Sequence, residues 1–164
     1  METSGEPSLI AEERVQLEEF LDSTRAELVE AVRGLTEEQA RRRLVPSLTT
    51  PLGLLKHAAF AERVWFHVAL AGRTRAELGM PEQVDPTFSF TDEDTVESTI
   101  TEYEQVCAEA REIAAGFSLD DLARHNRRGP LSLRWIYLHM IEELARHAGH
   151  ADILREQILG GESR

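Results

Sequence analysis

The chain has a single cysteine, Cys107, so no intrachain disulfide can staple it, and a reducing compartment is its natural setting. Lysine is as scarce: of 18 Lys and Arg residues, only Lys56 is a lysine. That skew is a matter of codons rather than of folding, and it points toward a GC-rich source such as the actinobacteria. Positive charge is short overall, with 30 Asp and Glu residues giving a net charge of −12 and a pI of about 4.9. Such a balance argues against a general nucleic-acid binder and against a partner of anionic membrane surfaces. No uninterrupted apolar run is long enough to span a bilayer. The opening residues Met1-Glu2-Thr3-Ser4-Gly5-Glu6-Pro7 lack both the basic start and the apolar stretch of a secretory leader. A cytoplasmic protein is expected. Internal repeats, low-complexity tracts and strand-like alternation are missing too.

What the sequence does contain is helical periodicity. Its 164 residues suit one domain, residues 1–164, with enough chain to bury a core without metal or disulfide staples. Ile10, Leu17, Leu21, Thr24, Leu28 and Ala31 recur on one face, which predicts a first helix from Ser8 to about Arg33, stopped by Gly34. One or two further turns are expected over 36–44, with Arg41-Arg42-Arg43 as solvated surface. Thr50-Pro51 supplies a cap followed by proline at the first helical position, opening a second helix that continues to Gly72. In it Leu54, Ala58, Ala61, Val64, Trp65 and Val68 share an arc that contains His57, whereas His67 falls on the opposite side with Lys56 and Arg63. His57 is therefore expected inside and His67 outside.

Residues 73–90 carry Gly79, Pro81 and Pro86 and no sustained period, so they read as a long connection. Thr91 with Asp94 resembles a capping box for a third helix, whose inward stripe runs from Val96 through Cys107 and Ala114 to Phe117 and which ends near Gly116. A short helix over 118–124 and a loop over 125–130 lead to the last helix, Leu131 to Leu159. There Leu133, Ile136, Met140, Leu144, Ala151, Leu154 and Ile158 fall within an arc roughly 80° wide. The expected fold is an all-α four-helix bundle with its long connection between the second and third helices.

Function in a bundle comes from polar side chains that project inward. His147 lies in the apolar arc of the last helix, and Glu143 sits one turn earlier, about 40° away, so two metal-ligand types share a face at i, i+4 spacing. A lone inward histidine is more often a hydrogen-bonded core residue than a ligand. Together, however, His57, Glu143 and His147 offer three donors of the kinds Zn²⁺, Ni²⁺ or Fe²⁺ accept, with a coordination position left open. His139 and His150 lie nearer the edge of the stripe and are candidates to orient the ligands.

The segments Leu44-Val45-Pro46-Ser47-Leu48-Thr49-Thr50-Pro51-Leu52-Gly53-Leu54-Leu55-Lys56-His57, Ser132-Leu133-Arg134-Trp135, His139-Met140-Ile141-Glu142-Glu143 and Arg146-His147-Ala148-Gly149-His150-Ala151-Asp152 resemble the DinB/YfiT-like superfamily, in its actinobacterial mycothiol-transferase-like branch. The resemblance runs over nearly the whole chain. It implies a four-helix bundle, often a homodimer, that holds a divalent metal through three residues on the second and last helices. In the thiol-dependent branch the first ligand of the last helix is glutamate, and the corresponding positions here are His57, Glu143 and His147. The His-x-Gly-Gln ending frequent in the superfamily appears as His147-Ala148-Gly149-His150, with His150 in place of glutamine.

The resemblance further implies a metal-dependent transferase that joins a low-molecular-weight thiol, mycothiol, to an electrophilic small molecule, with zinc as the first choice of metal. Glu62 and His150 are the candidate proton acceptors. Two other readings stand beside it: a small metal-dependent hydrolase, and a non-catalytic dimeric bundle with a vestigial site. Phe60 and Leu138, apolar and outside the core arcs, are the candidates for a dimer surface.

Overall fold

Thr50 caps the second long helix by accepting a hydrogen bond from the Gly53 N–H, and Pro51 occupies its first turn, where the missing N–H costs nothing. A computed structural model describes residues 6–162, so the first five residues of the opening segment lie outside the described region. Its helices are α1 (Glu13–Val32), the short α2 (Glu37–Arg41), α3 (Pro51–Glu62), α4 (Val96–Ala115) and α5 (Leu133–Glu162). From Arg63 to Leu70 the second long helix continues as a π-helix. The four long helices form an all-α bundle in which α1 packs along α5 and α3 lies against both α4 and α5. Leu28, Leu54, Tyr103, Met140 and Leu144, drawn from all four, are fully buried at its centre. No helix among the described residues is long and apolar enough to cross a membrane.

The last helix is continuous across Glu143, His147 and Gly149, and every apolar residue of its expected inward arc is buried. Elsewhere the structure corrects the sequence reading. α1 starts at Glu13 rather than Ser8, because Ser8 spends its N–H and hydroxyl on the Glu19 carboxylate instead of capping a helix; Ile10 is left 96% exposed. Thr91 and Asp94 close a turn, and the capping box that starts α4 is formed by Thr95 and Ser98. Residues 118–124 form no helix. Leu122–Ala123 (β1) instead pairs antiparallel with Leu131–Ser132 (β2), Leu122 opposite Ser132, a ladder too short to leave an alternating pattern in the sequence. Arg41 is not merely solvated: it donates to the Thr91 and Asp94 carbonyls and lies over the Phe90 ring.

His67 is the clearest correction. It is 1% exposed, with Nε2 2.9 Å from a Glu109 carboxylate oxygen on α4. A wheel at 100° per residue assumes one buried face and a regular α-helix. This stretch has neither, since its turns are widened and α4 covers the side facing away from α5. Phe60 is also no free surface residue, for the Arg75 guanidinium lies over its ring at 5.4 Å, whereas Leu138 is 55% exposed.

The long connection returns to the bundle at one 3₁₀ turn, Asp85–Phe88. Gly53 permits this, because a Cβ there would stand 2.6 Å from the Phe88 carbonyl oxygen. The turn thus sits directly on the start of α3, and its side chains reach His57.

Candidate metal centre

α3 and α5 bring His57, Glu143 and His147 together, with one donor atom from each lying within 4.8 Å of the others. Glu143 Oε1 is 3.2 Å from His57 Nε2 and 3.1 Å from His147 Nε2. Donors arranged tetrahedrally about a cation at about 2.0–2.2 Å would stand roughly 3.3–3.6 Å apart, a spacing that the two Glu143 contacts already approach.

The protonation of His57 can be read from its other side. The Thr87 hydroxyl has one proton and donates it to the Val84 carbonyl at 2.5 Å; it must therefore accept from His57 Nδ1–H at 2.8 Å. Nε2 of a neutral His57 then presents a lone pair to an ionised carboxylate. Two acceptors at that distance repel unless a cation lies between them, either a second proton on the ring or a metal ion. With protons there, hydrogen bonds from His147 first and then His57 hold the Glu143 carboxyl far below the usual carboxylate range, against the opposing effect of burial. The donor set, the fixed His57 tautomer and the convergent lone pairs all fit a divalent cation. Thr87 supplies the outer hydrogen bond that commonly orients a ligand histidine. His147 has no such support: its Nδ1 is buried and has no hydrogen-bond partner among the described residues.

Packing fixes the rings. Phe88 stacks flat on His57, with centroids 4.1 Å apart and planes 8° apart, and His147 meets His57 edge-on at 4.8 Å. His139 stacks on Trp135 and lies edge-on to Trp65, with Nε2 3.8 Å from Glu143 Oε2. Burial lowers its pKa, aided by the Arg128 charge and opposed by Glu143. It is thus a neighbour of the Glu143 carboxylate. His150 is exposed, its ring 6.0 Å from that of His147.

Glu62 is not brought to the cluster. Both its oxygens are taken by Arg25, Nε to Oε1 at 2.8 Å and Nη2 to Oε2 at 2.7 Å, in a fully buried pair that links α3 to α1. This bidentate arrangement uses the carboxylate for structure, and Glu62 is withdrawn as a proton acceptor. Sequence reasoning missed Thr87 and Phe88, which lie in an aperiodic connection; the turn-forming Asp85-Pro86 pair marks a turn there but not what it touches.

A family model described as mycothiol-S-transferase matches residues 16–160, a span that includes all three clustered ligand types. The chain belongs to the mycothiol-S-transferase family. No curated protein matches it. Among solved structures it is similar to a conserved protein from Enterococcus faecalis, with 14% identity and a TM-score of 0.62 over 92% of this chain and 99% of that one. That likeness concerns the fold alone. Within the mycothiol-S-transferase family match, the cluster joins the two helices that the sequence resemblance had singled out, α3 and α5.

Proposed function

We propose that this protein is a divalent-metal-dependent S-transferase that joins mycothiol to an electrophilic small molecule beside His57, Glu143 and His147. The carrying observation is the convergence of His57 Nε2 and His147 Nε2 on Glu143 Oε1, with the Thr87 hydroxyl placed to accept the His57 Nδ1 proton, a donor set that a divalent cation fits. The family match supports the thiol. A divalent cation held by the three side chains, zinc first and nickel or iron with the same donors, would supply the positive charge that favours thiolate over thiol at neutral pH.

The chain's own residues do the rest. Thr87 and the flat stack of Phe88 hold His57 in one orientation, and the Glu143 carboxylate reduces the positive charge of the centre. His150, exposed beside His147, receives the proton lost by the thiol and passes it to water. With a bimane halide as acceptor, the sulfur–carbon bond forms, the carbon–halogen bond breaks, and halide and one proton are released. The reaction requires a reduced thiol, which suits the cytoplasmic setting inferred from the lone, buried Cys107.

Zinc-loaded protein incubated with mycothiol and bromobimane should form the fluorescent conjugate faster than a protein-free control. Without thiol, no bromobimane should be consumed. Turnover independent of thiol would replace this reading with hydrolysis, and no acceleration would end it. Elemental analysis tests the ligands separately: Glu143→Gln should lose most of the bound metal, whereas Glu142→Gln, an exposed partner of Arg146, should keep it. Equal metal content in the two proteins would sink the assignment.

A further inference from the structure

A cavity of about 750 Å³ opens next to the metal centre, between the second long helix, the long connection and the loop that joins β1 to β2. Its volume suits a small organic molecule. Three of its lining residues lead to the centre. Phe60 stacks with His57 at 6.3 Å. Trp65 lies edge-on to His139, the neighbour of the Glu143 carboxylate. The Val84 carbonyl accepts the Thr87 hydroxyl that fixes His57.

The charge on these walls runs against that of the molecule. In a chain of net charge −12, Arg14, Arg25, Arg33, Arg63, Arg111, Arg134 and Arg146 all find carboxylate partners. Arg75, Arg127 and Arg128, which line the cavity, form no ion pair among the described residues, and Glu82 is the sole acid on its wall. Two of these guanidinium groups are held on aromatic faces. Arg75 lies over Phe60 at 5.4 Å, and Arg128 lies over Trp135 at 5.4 Å and Trp65 at 5.8 Å. Stacking positions a guanidinium while leaving its N–H edges free for a carboxylate or phosphate. Arg75 spends one of those donors on the Pro81 carbonyl. The two arginine-bearing loops touch each other, with the His125 ring packed against Gly72, so the three charges border one space.

We infer that this cavity takes an anionic acceptor: an electrophile with a planar apolar body, set against Trp65 and Phe60, and a carboxylate or similar anion met by Arg75, Arg127 and Arg128. The inference rests on the transferase reading for the word acceptor, but the anion site itself does not. Trp65 lines the cavity and Trp135 carries the Arg128 guanidinium beside it, so intrinsic fluorescence reports its occupation, read against separate baselines for zinc-loaded and stripped protein because both rings pack on His139.

Benzoate and its neutral counterpart benzamide are the probes, titrated into zinc-loaded protein and into protein stripped with a chelator. Benzoate should saturate the fluorescence change at about tenfold lower concentration than benzamide, the margin of one charge-assisted hydrogen bond. The preference should survive removal of the metal. In the doubly substituted Arg75→Gln/Arg127→Gln protein, which retains the Arg128 stack on the tryptophans, benzoate should lose most of its advantage over benzamide. Equal binding of the two probes, a benzoate preference that vanishes with the metal, or a preference untouched by the double substitution would each overturn the site. Benzoate preference in a protein that fails to conjugate bromobimane would retire the transferase reading while keeping the anion site. Conjugation without benzoate preference would do the reverse.

Discussion

Arg25 and Glu62 show how a single residue's role is decided by what holds it. Glu62 lies on the helix that carries His57, but its carboxylate is fully buried and locked to Arg25, itself almost entirely covered. Glu62→Gln leaves the buried Arg25 guanidinium with Asp22 as its remaining carboxylate partner, so it should lower the unfolding free energy by about 2–3 kcal/mol, less than for a buried charge left wholly unpaired. Denaturant titration would show this, with the bound metal per folded molecule unchanged. A large loss of metal at intact stability would return Glu62 to the site. Cys107 yields a second prediction at this scale. Burial, and after it the negative charge of Glu62, pushes its thiol up to about 12. The native protein should therefore resist a thiol-reactive disulfide reagent at pH 8 and react at once in denaturant; fast native reaction would count against the buried position. The linkage has a definite sign. A folded pKa raised above the ordinary thiol value of about 8.5 leaves stability intact below that value, and stability falls as pH climbs from there toward about 12. Inward residues on regular helix, such as Met140, Leu144 and the candidate pair Glu143 and His147, were legible as a stripe. His67 was not, since its burial comes from a second helix lying on its far side.

Among the elements, the 3₁₀ turn over Asp85–Phe88 does the most with the fewest residues. Its Thr87 hydroxyl fixes the His57 tautomer, and its Phe88 ring lies flat on the imidazole. Substituting the hydroxyl by a methyl should leave the fold intact and release the ring proton. Thr87→Val is thus expected to weaken metal affinity by about 10–100-fold, the usual range for an outer-sphere partner of a ligand. A competition assay with a chromophoric chelator measures it, and affinity equal to that of the parent would show that packing by Phe88 alone orients His57. No periodic signal could have revealed this turn, because its register depends on the close approach at Gly53, a contact between segments far apart in their local patterns. Long helices announce themselves through many residues that repeat one requirement. A two-residue ladder such as β1 with β2, or a single hydroxyl in a connection, states its requirement once.

At the scale of the whole molecule, apolar side chains remain on the outside of α5: Leu138 is 55% and Ile153 is 58% exposed. We propose a homodimer that covers them, and light scattering at micromolar concentration should give twice the 18.5 kDa chain mass. A monomer mass would reject it. The choice of method follows from the near absence of lysine. Apart from the chain's α-amino group, the molecule offers one primary amine, and Lys56 is three-quarters covered, with its ammonium 3.0 Å from Asp94 and 3.8 Å from Glu102. Amine-reactive crosslinkers would find almost nothing to join, so a dimer would run as a single chain on a denaturing gel after treatment. The same scarcity means that an amine-reactive dye or bead meets a single side-chain amine, Lys56, held between Asp94 and Glu102, and so reaches few positions on any copy of the protein.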